Sequence, residues 1–259
     1  MAQQLVTDPS RNMDERSWWD LWNTSYRAED NRDQISTELF AHVAELLRKT
    51  MLGDEGRMLE VACGTGTLSR QLNFASYHGL DISAAAIEIA RQKVQGMQLP
   101  AGRTGPTYEA ADFHDWPLPT EPLDLVLCVD AISCFRDQAF TMRKMAQSLR
   151  VGGRVVLTSV NPVVYNRIRR VSGVRLENGP VSHWLSREEL HGLIKQAGLV
   201  LEQSYTIMPR GNMGVLRVIN AHRLNAAFGP RGAAILRRWK EQVGLGQYRV
   251  VVARKGEQS

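Results

Sequence analysis

The feature that most constrains this chain is a short apolar run that leads into a glycine loop. In RMLEVACGTGTLSRQL, residues 57–72, a predicted buried strand carries Glu60 near its end and is followed by Gly64 and Gly66. Glycine at such a turn permits positive φ and lets a ligand lie against bare backbone. The stretch GTLSRQLNFA predicts a following helix, whose N-terminus would offer unpaired N–H groups. The pattern predicts the first strand, loop and helix of an α/β sheet.

Apolar strands and helical segments alternate along the rest of the chain. The further predicted strands are residues 77–83, 106–113, 123–130, 154–160, 200–208 and 247–255. The predicted helices outside the glycine loop are residues 33–51, 83–97, 137–153, 186–199 and 212–244. Such alternation is typical of a doubly wound, mostly parallel α/β sheet with helices on both faces. No crossover pattern precedes the last strand, which leaves an antiparallel placement open for it.

Composition excludes several classes of protein. The 259 residues are 43% hydrophobic and 23% charged, as in ordinary globular proteins. No apolar run approaches the ~20 residues that a membrane-spanning helix needs, and the N-terminus shows no apolar signal core. Three cysteines, at 63, 128 and 134, form no CxxC pair and have no histidines at zinc spacing. We therefore expect a cytoplasmic protein with reduced thiols, no bound metal and no membrane partner.

Charge is distributed unevenly between the two halves of the chain. Residues 1–149 carry 14 Lys/Arg and 21 Asp/Glu, a net of −7, whereas residues 150–259 carry 18 and 6, a net of +12. A basic face in solvent, an anionic or electron-rich ligand, and nucleic acid would each account for the basic half. No separate RNA-binding domain is visible and the basic residues are scattered, so nucleic acid is disfavoured.

The residues around the glycine loop favour one type of cofactor. Asp81 ends the next predicted strand, where a carboxylate can accept hydrogen bonds from both hydroxyls of a ribose. A dinucleotide fingerprint needs a third small residue in the loop, and Ser69 fits that position poorly. Glu60 would repel a pyrophosphate but could receive an ammonium group, directly or through water. These features favour adenosine joined to a zwitterionic amino acid over a nicotinamide dinucleotide.

The stretch LEVACGTGT resembles the first motif of class I, Rossmann-like S-adenosylmethionine-dependent methyltransferases. GLDIS is similar to the second motif of that family, AADFHDWPLP to the third, and LDLVLCVDAISCF and LRVGGRVVLTSV to its fourth and fifth strands. The resemblance covers residues 57–160 well, and residues 186–205 and 247–255 more loosely. It implies a seven-stranded sheet of order 3-2-1-4-5-7-6, in which QYRVVVARK forms the antiparallel last strand.

The resemblance implies S-adenosylmethionine as the cofactor and S-adenosylhomocysteine as the product. Asp81 is expected to bind the ribose hydroxyls, Ile82 to pack on adenine, and Asp112 to meet the adenine amino group. One departure is Ala62, which stands where the family commonly has glycine. The expected cofactor-binding residues are Glu60, Ala62, Cys63, Gly64, Gly66, Asp81, Ile82, Asp112, Phe113 and Val129.

The resemblance also bears on the methyl acceptor. The fourth strand ends in Cys128-Val129-Asp130-Ala131, without the Asn/Asp-Pro-Pro-Tyr/Phe element that marks methylation of base amino groups and glutamine amides in the wider family. The small-molecule branch builds its acceptor pocket from extra segments, which this chain has. We expect an N-terminal helical lid in residues 1–53 and a methyltransferase domain in residues 54–259. Cap insertions are expected at about 161–185 and 210–245.

Aromatic and polar residues in these extra segments are candidates for substrate binding. Three of the lid aromatics are spaced four apart, which places them on one helical face, where they either cover a sulfonium or pack the helix on the sheet. Residues 208–228 mix apolar and polar side chains, as a binding pocket or an amphipathic cap helix would. The expected substrate-binding residues are Trp18, Trp22, Tyr26, Trp184, Arg210, Asn212, Met213 and Arg217.

His183 is the candidate catalytic base or acceptor-orienting residue, because it precedes a predicted helix near the end of the fifth strand. His114 and Asp130 are alternatives. The sequence thus predicts methyl transfer to O or N of a small aromatic, heteroaromatic or acidic secondary metabolite, by a monomer or homodimer. An RNA methyltransferase and a non-catalytic cofactor-binding regulatory subunit remain as alternatives.

Overall fold

The computed structural model describes residues 14–26, 34–50, 56–72, 74–95, 104–164, 183–207 and 222–257. Seven strands form one sheet in the order β3-β2-β1-β4-β5-β7-β6. The strands β1 to β6 run parallel to one another, and β7 is antiparallel to its neighbours β5 and β6. The predicted fold class and strand order are confirmed. The strands are β1 Arg57–Val61, β2 Ser76–Asp81, β3 Thr107–Ala110, β4 Leu123–Val129, β5 Leu149–Val160, β6 Leu199–Ile207 and β7 Tyr248–Lys255.

Helices precede the sheet and connect its strands. Short 3-10 helices at Ser69–Gln71 and Ile132–Cys134 follow β1 and β4, and a π-helical turn at Trp22–Tyr26 continues the first helix. Ser83 caps α3 by accepting a hydrogen bond from the N–H of Ala86, and Ser186 forms a capping box with Glu189 at the start of α5. The α-helices are α1 Glu15–Leu21, α2 Gln34–Thr50, α3 Ala84–Val94, α4 Gln138–Ser148, α5 Arg187–Gln196 and α6 His222–Gln242.

The sheet is buried on both faces by two apolar clusters. In β4, Leu125 and Leu127 belong to the cluster that includes α2 and α3, whereas Val126 and Cys128 belong to the cluster that includes α4 and α5. Successive side chains of a strand point to opposite faces, so a strand covered on both sides must be apolar throughout. This explains the continuous apolar run LVLCV at residues 125–129 of β4.

The prediction of a helix directly after the glycine loop was wrong. The segment forms turns and a single 3-10 turn at Ser69–Gln71. The Ser69 hydroxyl donates to the carbonyl of Gly66 at 2.9 Å, and the backbone is already extended at Leu72, with ψ 151°. A serine hydroxyl that bonds its own local backbone competes with helix formation, and fewer than two helical turns fit before Leu72.

The predicted helix of residues 212–244 is only partly described. Helix α6 begins at His222, and Gly229 interrupts it with φ 63° and ψ −179°. The residues before His222 in that prediction lie outside the described residues. Glycine adopts this backbone conformation without the steric cost that a Cβ would bring, so the last part of α6 restarts after Gly229 in a new direction.

One polar contact joins α2 to the edge strand β6. His42 Nε2 lies 3.1 Å from the hydroxyl of Tyr205. Burial is the largest cause that lowers the pKa of His42 below its ordinary value. Smaller effects on that pKa come from carboxylates that raise it and cations that lower it, namely Glu241, Glu45, Arg237 and Lys49. The ring is therefore held neutral in the folded protein at neutral pH.

Acidification is expected to destabilise the protein through His42. The unfolded chain takes up a proton near pH ~6.5, whereas the folded ring does so only at lower pH, so the free energy of unfolding falls as pH drops below ~6.5. In His42→Asn, chemical denaturation should show a smaller loss of stability between pH ~7 and ~5.5 than in the wild type. Tyr205→Phe keeps the histidine buried and should keep the wild-type pH dependence. Equal pH dependence in wild type and His42→Asn would contradict this assignment.

Candidate functional site

A cavity opens at the carboxyl ends of β1, β2 and β4, where the order of the strands reverses. Ligands of open α/β sheets bind in the crevice at such a switch point. Residues at and just after the strand ends supply most of the described lining. The rest comes from α1 and the turn that continues it, from Phe40 of α2, and from residues 134–136. From the strand ends come Ala62, Cys63, Gly64, Leu80, Asp81, Ile82, Ala111, Asp112, Phe113, His114, Val129, Asp130 and Ala131.

The glycine loop is held in a strained shape by a carboxylate. Ala62, Gly64 and Gly66 have positive φ values of 58°, 53° and 69°. Asp81 Oδ2 accepts a hydrogen bond from the N–H of Gly64 at 2.7 Å, and its Oδ1 accepts one from the N–H of Ser83 at 2.9 Å. Asp81 thus ties the loop after β1 to the turn after β2.

Gly66 does not line the cavity but lies against the packed interior. A Cβ added to Gly66 would lie 2.7 Å from the hydroxyl oxygen of Tyr108 and 3.1 Å from the Cβ of Ala90. The second glycine of the motif is therefore needed for close packing of the loop on β3 and α3, and the first, Gly64, faces the cavity.

Glu60 is buried beneath the loop and is absent from the described lining of the cavity. Its carboxylate accepts a hydrogen bond from the hydroxyl of Tyr77. Burial, and next the charge of Glu60, raise the pKa of Tyr77 well above its ordinary value, so the phenol keeps its proton and acts as the donor. The expected role of Glu60, receiving an ammonium group directly or through water, stays a prediction.

Asp112 and Phe113 face the cavity from the loop after β3. Asp112 Oδ1 accepts from the N–H of His114 at 2.8 Å, and its Oδ2 accepts from Arg136 Nη2 at 3.1 Å. Arg136 Nε also lies 3.5 Å from Glu15 Oε2 on α1. Arg136 therefore links the N-terminal helix to the loop that carries Asp112.

The N-terminal aromatics contribute to the site in a different set from the predicted one. Trp18 stacks on Trp22 with 5.3 Å between ring centroids and lies edge-on to Trp19 at 4.7 Å. Trp19 and Trp22 line the cavity, while Trp18 is not part of the described lining. The side chain of Tyr26 is outside the described residues. Trp19 and Trp22 are three residues apart, a spacing that also places side chains on one side of a helix, so spacing by four did not identify the cavity side.

Helix α1 is fastened to the start of α3 by one carboxylate. Asp20 Oδ1 accepts hydrogen bonds from the hydroxyl of Ser83 at 2.6 Å and from the N–H of Ala85 at 3.1 Å. Negative charge is favourable at a helix N-terminus, because the first N–H groups of the helix have no intrahelical partner. Together with the contact between Glu15 and Arg136, this holds α1 over the cavity.

The structure places His183 outside the described lining of the cavity. Its Nε2 lies 3.0 Å from Glu189 Oε1, the capping-box residue of α5, and more than half of its side chain is exposed. Trp184 is half-buried and does not line the cavity either. The other four predicted substrate residues, Arg210, Asn212, Met213 and Arg217, lie outside the described residues.

The two alternatives to His183 both face the cavity. His114 Nε2 lies 2.7 Å from the hydroxyl of Thr141. Asp130 has a positive φ of 57°, and its N–H donates to the carbonyl and the hydroxyl oxygen of Thr158. A left-handed backbone at a residue other than glycine costs energy, and such residues cluster at functional sites.

Cysteine chemistry is not favoured at this site. Cys63 and Cys134 line the cavity as free thiols. Burial, followed by the charge of Asp130, raises the pKa of Cys134 to about 12, and burial raises the pKa of Cys63 well above its ordinary value. Only the thiolate is a strong nucleophile, so both side chains stay in an unreactive form near neutral pH.

Several residues of the cavity were missed by sequence reasoning. Leu80, Ala111 and Ala131 directly adjoin predicted site residues in the chain. The others come from helices or loops far from the glycine motif, and no local pattern marks them as neighbours of Asp81. Trp19 was noted only as lying off the aromatic stripe. The missed residues of the described lining are Glu15, Trp19, Asn23, Phe40, Leu80, Ala111, Ala131, Cys134, Phe135 and Arg136.

Comparison with known proteins gives one family and several relatives. Residues 27–204 match the methyltransferase domain family. A phthiotriol/phenolphthiotriol dimycocerosates methyltransferase of Mycobacterium ulcerans is 33% identical over 140 residues, which are 52% of this chain and 46% of that protein. The O-methyltransferase cnsE of Penicillium expansum is 28% identical over 153 residues, 54% of this chain and 51% of that protein. The chain thus spans about half the length of these curated relatives.

A solved structure shows the same fold over nearly the whole chain. The magnesium protoporphyrin IX methyltransferase of Synechocystis PCC 6803, solved with bound S-adenosylhomocysteine, superposes with a TM-score of 0.61. The match covers 94% of this chain and 100% of the other at 15% identity. At that identity the likeness concerns the fold alone.

Gly66→Ala should destabilise the protein, because the new Cβ meets the Tyr108 hydroxyl and the backbone keeps a positive φ. We expect the free energy of unfolding to fall by about 1–3 kcal/mol in chemical denaturation. Gly192→Ala is the matched control, since its helical position in α5 is open. That change should raise the free energy by about 0.5–1 kcal/mol. Equal effects of the two substitutions would refute the packing role of Gly66.

Asp20→Ala should loosen α1 without unfolding the sheet. Loss of the two hydrogen bonds at the start of α3 should speed hydrogen–deuterium exchange of residues 15–26 about 5- to 30-fold, while exchange in β4 and β5 stays unchanged. Asp20→Asn keeps an oxygen acceptor, so its exchange rate in residues 15–26 should lie between those of the wild type and the alanine variant. Exchange in residues 15–26 that is unaffected by Asp20→Ala would show that this carboxylate does not hold the helix.

Proposed function

Because the chain belongs to the methyltransferase domain family, with the fold of class I S-adenosylmethionine-dependent methyltransferases, we propose that it methylates O or N of a small molecule. The single observation that carries this proposal is the cavity at the carboxyl ends of β1, β2 and β4. There, Gly64 of the loop, the Asp81 carboxylate and the Asp112 carboxylate face one space, which α1 covers from the other side. S-adenosylmethionine is the proposed methyl donor.

The residues present fit an adenosine-containing cofactor. Asp81 lines the cavity beside the N–H groups of Gly64 and Ser83 that its oxygens bind, and a carboxylate there can accept hydrogen bonds from ribose hydroxyls. Ile82 and Phe113 supply apolar surface on either side, and Asp112 supplies an acceptor for an exocyclic amino group. Apolar walls with a few convergent polar groups are typical of cofactor sites.

The charge of the cavity suits a cationic donor. Its described lining carries four carboxylates, on Glu15, Asp81, Asp112 and Asp130, against the guanidinium of Arg136. Bound S-adenosylmethionine supplies an electrophilic methyl group on a positive sulfonium. Carboxylates and the faces of Trp19 and Trp22 favour positive charge, and the lid helix excludes water that would screen it.

The same lining favours an aromatic or heteroaromatic acceptor over an acidic one. Trp19, Trp22, Phe40 and Phe135 supply flat apolar surface, whereas an acceptor carboxylate would meet excess negative charge. We place the acceptor between the α1 aromatics and the turn after β4. Alignment of the acceptor atom with the methyl carbon would then depend on α1 being docked.

A general base, where the acceptor needs one, is assigned to Asp130 or His114 in place of His183. Both side chains face the cavity, and His183 does not. Hydrogen bonds to Thr158, near the end of β5, fix the backbone of Asp130 at the edge of the switch point. A phenolate or a neutral ring nitrogen would need no base.

Titration calorimetry with S-adenosylhomocysteine tests the cofactor site. Asp81→Asn should weaken binding about 10- to 100-fold, because charge-assisted hydrogen bonds to the ribose and to Gly64 are weakened. Asp115→Asn, a change at an exposed carboxylate, is the matched control and should bind like the wild type. NAD should not bind to the wild type.

Folded wild-type protein that fails to bind S-adenosylhomocysteine would refute the cofactor assignment. The acceptor class is tested separately, by detecting S-adenosylhomocysteine released from S-adenosylmethionine. Phenols and heteroaromatic amines should support turnover, with acidic metabolites and RNA as comparison arms. Turnover with RNA alone would favour the alternative of an RNA methyltransferase, and binding without turnover in any arm would favour a regulatory subunit.

A further inference from the structure

Helix α6 presents a row of exposed apolar side chains. Ile235, Trp239 and Val243 follow one another at intervals of four residues and are 69%, 46% and 50% exposed. At about 100° per residue they cover an arc of about 80° on one side of the helix and its C-terminal turn. We call these three residues the outer face of α6. Scattered apolar residues on a surface are ordinary, but a continuous row on one helix face marks an interaction site.

Arginines flank the outer face of α6. Arg231 lies one turn before Ile235, and Arg238 directly precedes Trp239 along the chain, so both lie within about 60° of Ile235 around the helix. Both side chains are exposed. The acidic residue of this segment, Glu241, is engaged by Arg237 at 3.1 Å. The outer face therefore combines an apolar row with positive charge.

The same helix is fastened to the edge of the sheet where the cavity opens. The hydroxyl of Thr206, near the end of β6, donates to the carbonyl of Glu241 at 2.7 Å. The side-chain amide of Asn161, directly after β5, donates to the carbonyls of Gly244 and Gly246 at 2.9 and 2.8 Å. The C-terminal end of α6 is thus rigidly joined to the carboxyl ends of β5 and β6.

We propose that the outer face of α6 docks the protein on an anionic membrane surface. Trp239 is a residue type that favours the boundary between headgroups and acyl chains, where its ring is apolar and its N–H remains solvated. Ile235 and Val243 would enter the apolar boundary on either side of it, and arginine side chains would reach the lipid phosphates. The net charge of +12 in residues 150–259 attracts the chain to such a surface.

Two other occupants fit the outer face less well. A second copy packed by twofold symmetry on the outer face would bring Arg231 and Arg238 of both chains into one interface, to which the outer face itself contributes no carboxylate. A nucleic acid would be attracted by the arginines but would leave Ile235 and Val243 against a charged backbone. An anionic bilayer satisfies both the apolar row and the charge.

Docking of this kind differs from spanning a membrane. None of the helices in the described part of the chain is long and apolar enough to cross a bilayer. The expectation of no membrane partner was based on the lack of such a segment, which a helix lying in the interface does not need. If the proposed function holds, docking through α6 would bring the edge with the cavity near the bilayer, where acceptors with an apolar part concentrate.

Co-sedimentation with lipid vesicles tests the proposal with the full chain and without knowledge of the acceptor. The protein should pellet with vesicles that contain phosphatidylglycerol and remain in solution with pure phosphatidylcholine, and added salt should release it. Failure to pellet with the anionic vesicles would overturn the proposal. The same protein preparation is also titrated with S-adenosylhomocysteine. Protein that binds S-adenosylhomocysteine but does not pellet would contradict membrane docking while leaving the cofactor assignment intact.

Substitutions locate the contact. Trp239→Ser combined with Ile235→Ser should weaken partitioning about 10-fold or more, and each of Arg231→Ala and Arg238→Ala about fivefold. Val200→Ser on β6 is the control for the apolar substitutions, because Val200 is about as exposed as Trp239. Arg143→Ala on α4 is the control for the arginine substitutions, because Arg143 is also exposed. Both controls should pellet like the wild type.

The assignment to α6 would be overturned if the control variants lost as much vesicle binding as the α6 variants, or if the Trp239/Ile235 variant pelleted like the wild type. So would a dimer in analytical ultracentrifugation that the Trp239/Ile235 substitutions dissociate, because a second copy would then occupy the face. Unchanged thermal unfolding of each variant shows that these surface changes leave the fold intact.

Discussion

The carboxylate of Asp81 is the interaction on which the candidate site depends. It accepts hydrogen bonds from Gly64 in the loop after β1 and from Ser83 at the start of α3. The hydroxyl of Ser83 in turn donates to Asp20 on the N-terminal helix. One chain of hydrogen bonds therefore connects the glycine loop, the strand β2 and the helix α1. Ala62 can keep its unfavourable positive φ because this carboxylate and the buried sheet hold the loop from both sides.

The cavity combines a rigid floor with a wall that is attached by polar contacts. Its floor consists of residues at the ends of strands whose side chains are buried in the two apolar clusters. Its wall is α1, held at Asp20 and through the contacts of Arg136 with Glu15 and Asp112. Exposed and partly exposed ion pairs contribute little each, so this wall can open at much lower cost than the sheet.

Those residues of the cavity that lie at the strand ends could be predicted because their signals are local. Gly64, Asp81 and Asp112 each follow a predicted strand, and the carboxyl ends of parallel strands meet at one edge of a sheet. Trp19, Phe40 and Arg136 carried no such signal, since their neighbours in space are far away in the chain. The prediction of a helix after Gly66 was wrong. The Ser69 hydroxyl bonds the carbonyl of Gly66 and the hydroxyl of Tyr108, and these contacts outweighed helix propensity. His183 lies beside Glu189, the capping-box residue of α5. The residues around His183 in the sequence did not reveal this contact.

The sequence by itself determined the alternating sheet and its glycine loop, because apolar periodicity and turn residues act over a few neighbours. Only the tertiary structure decided which side chains share the cavity, which glycine faces it, and that the apolar row of α6 is left uncovered beside two arginines. These properties depend on the packing of segments that are distant in the chain, and packing is set by the shape and charge of all neighbours together.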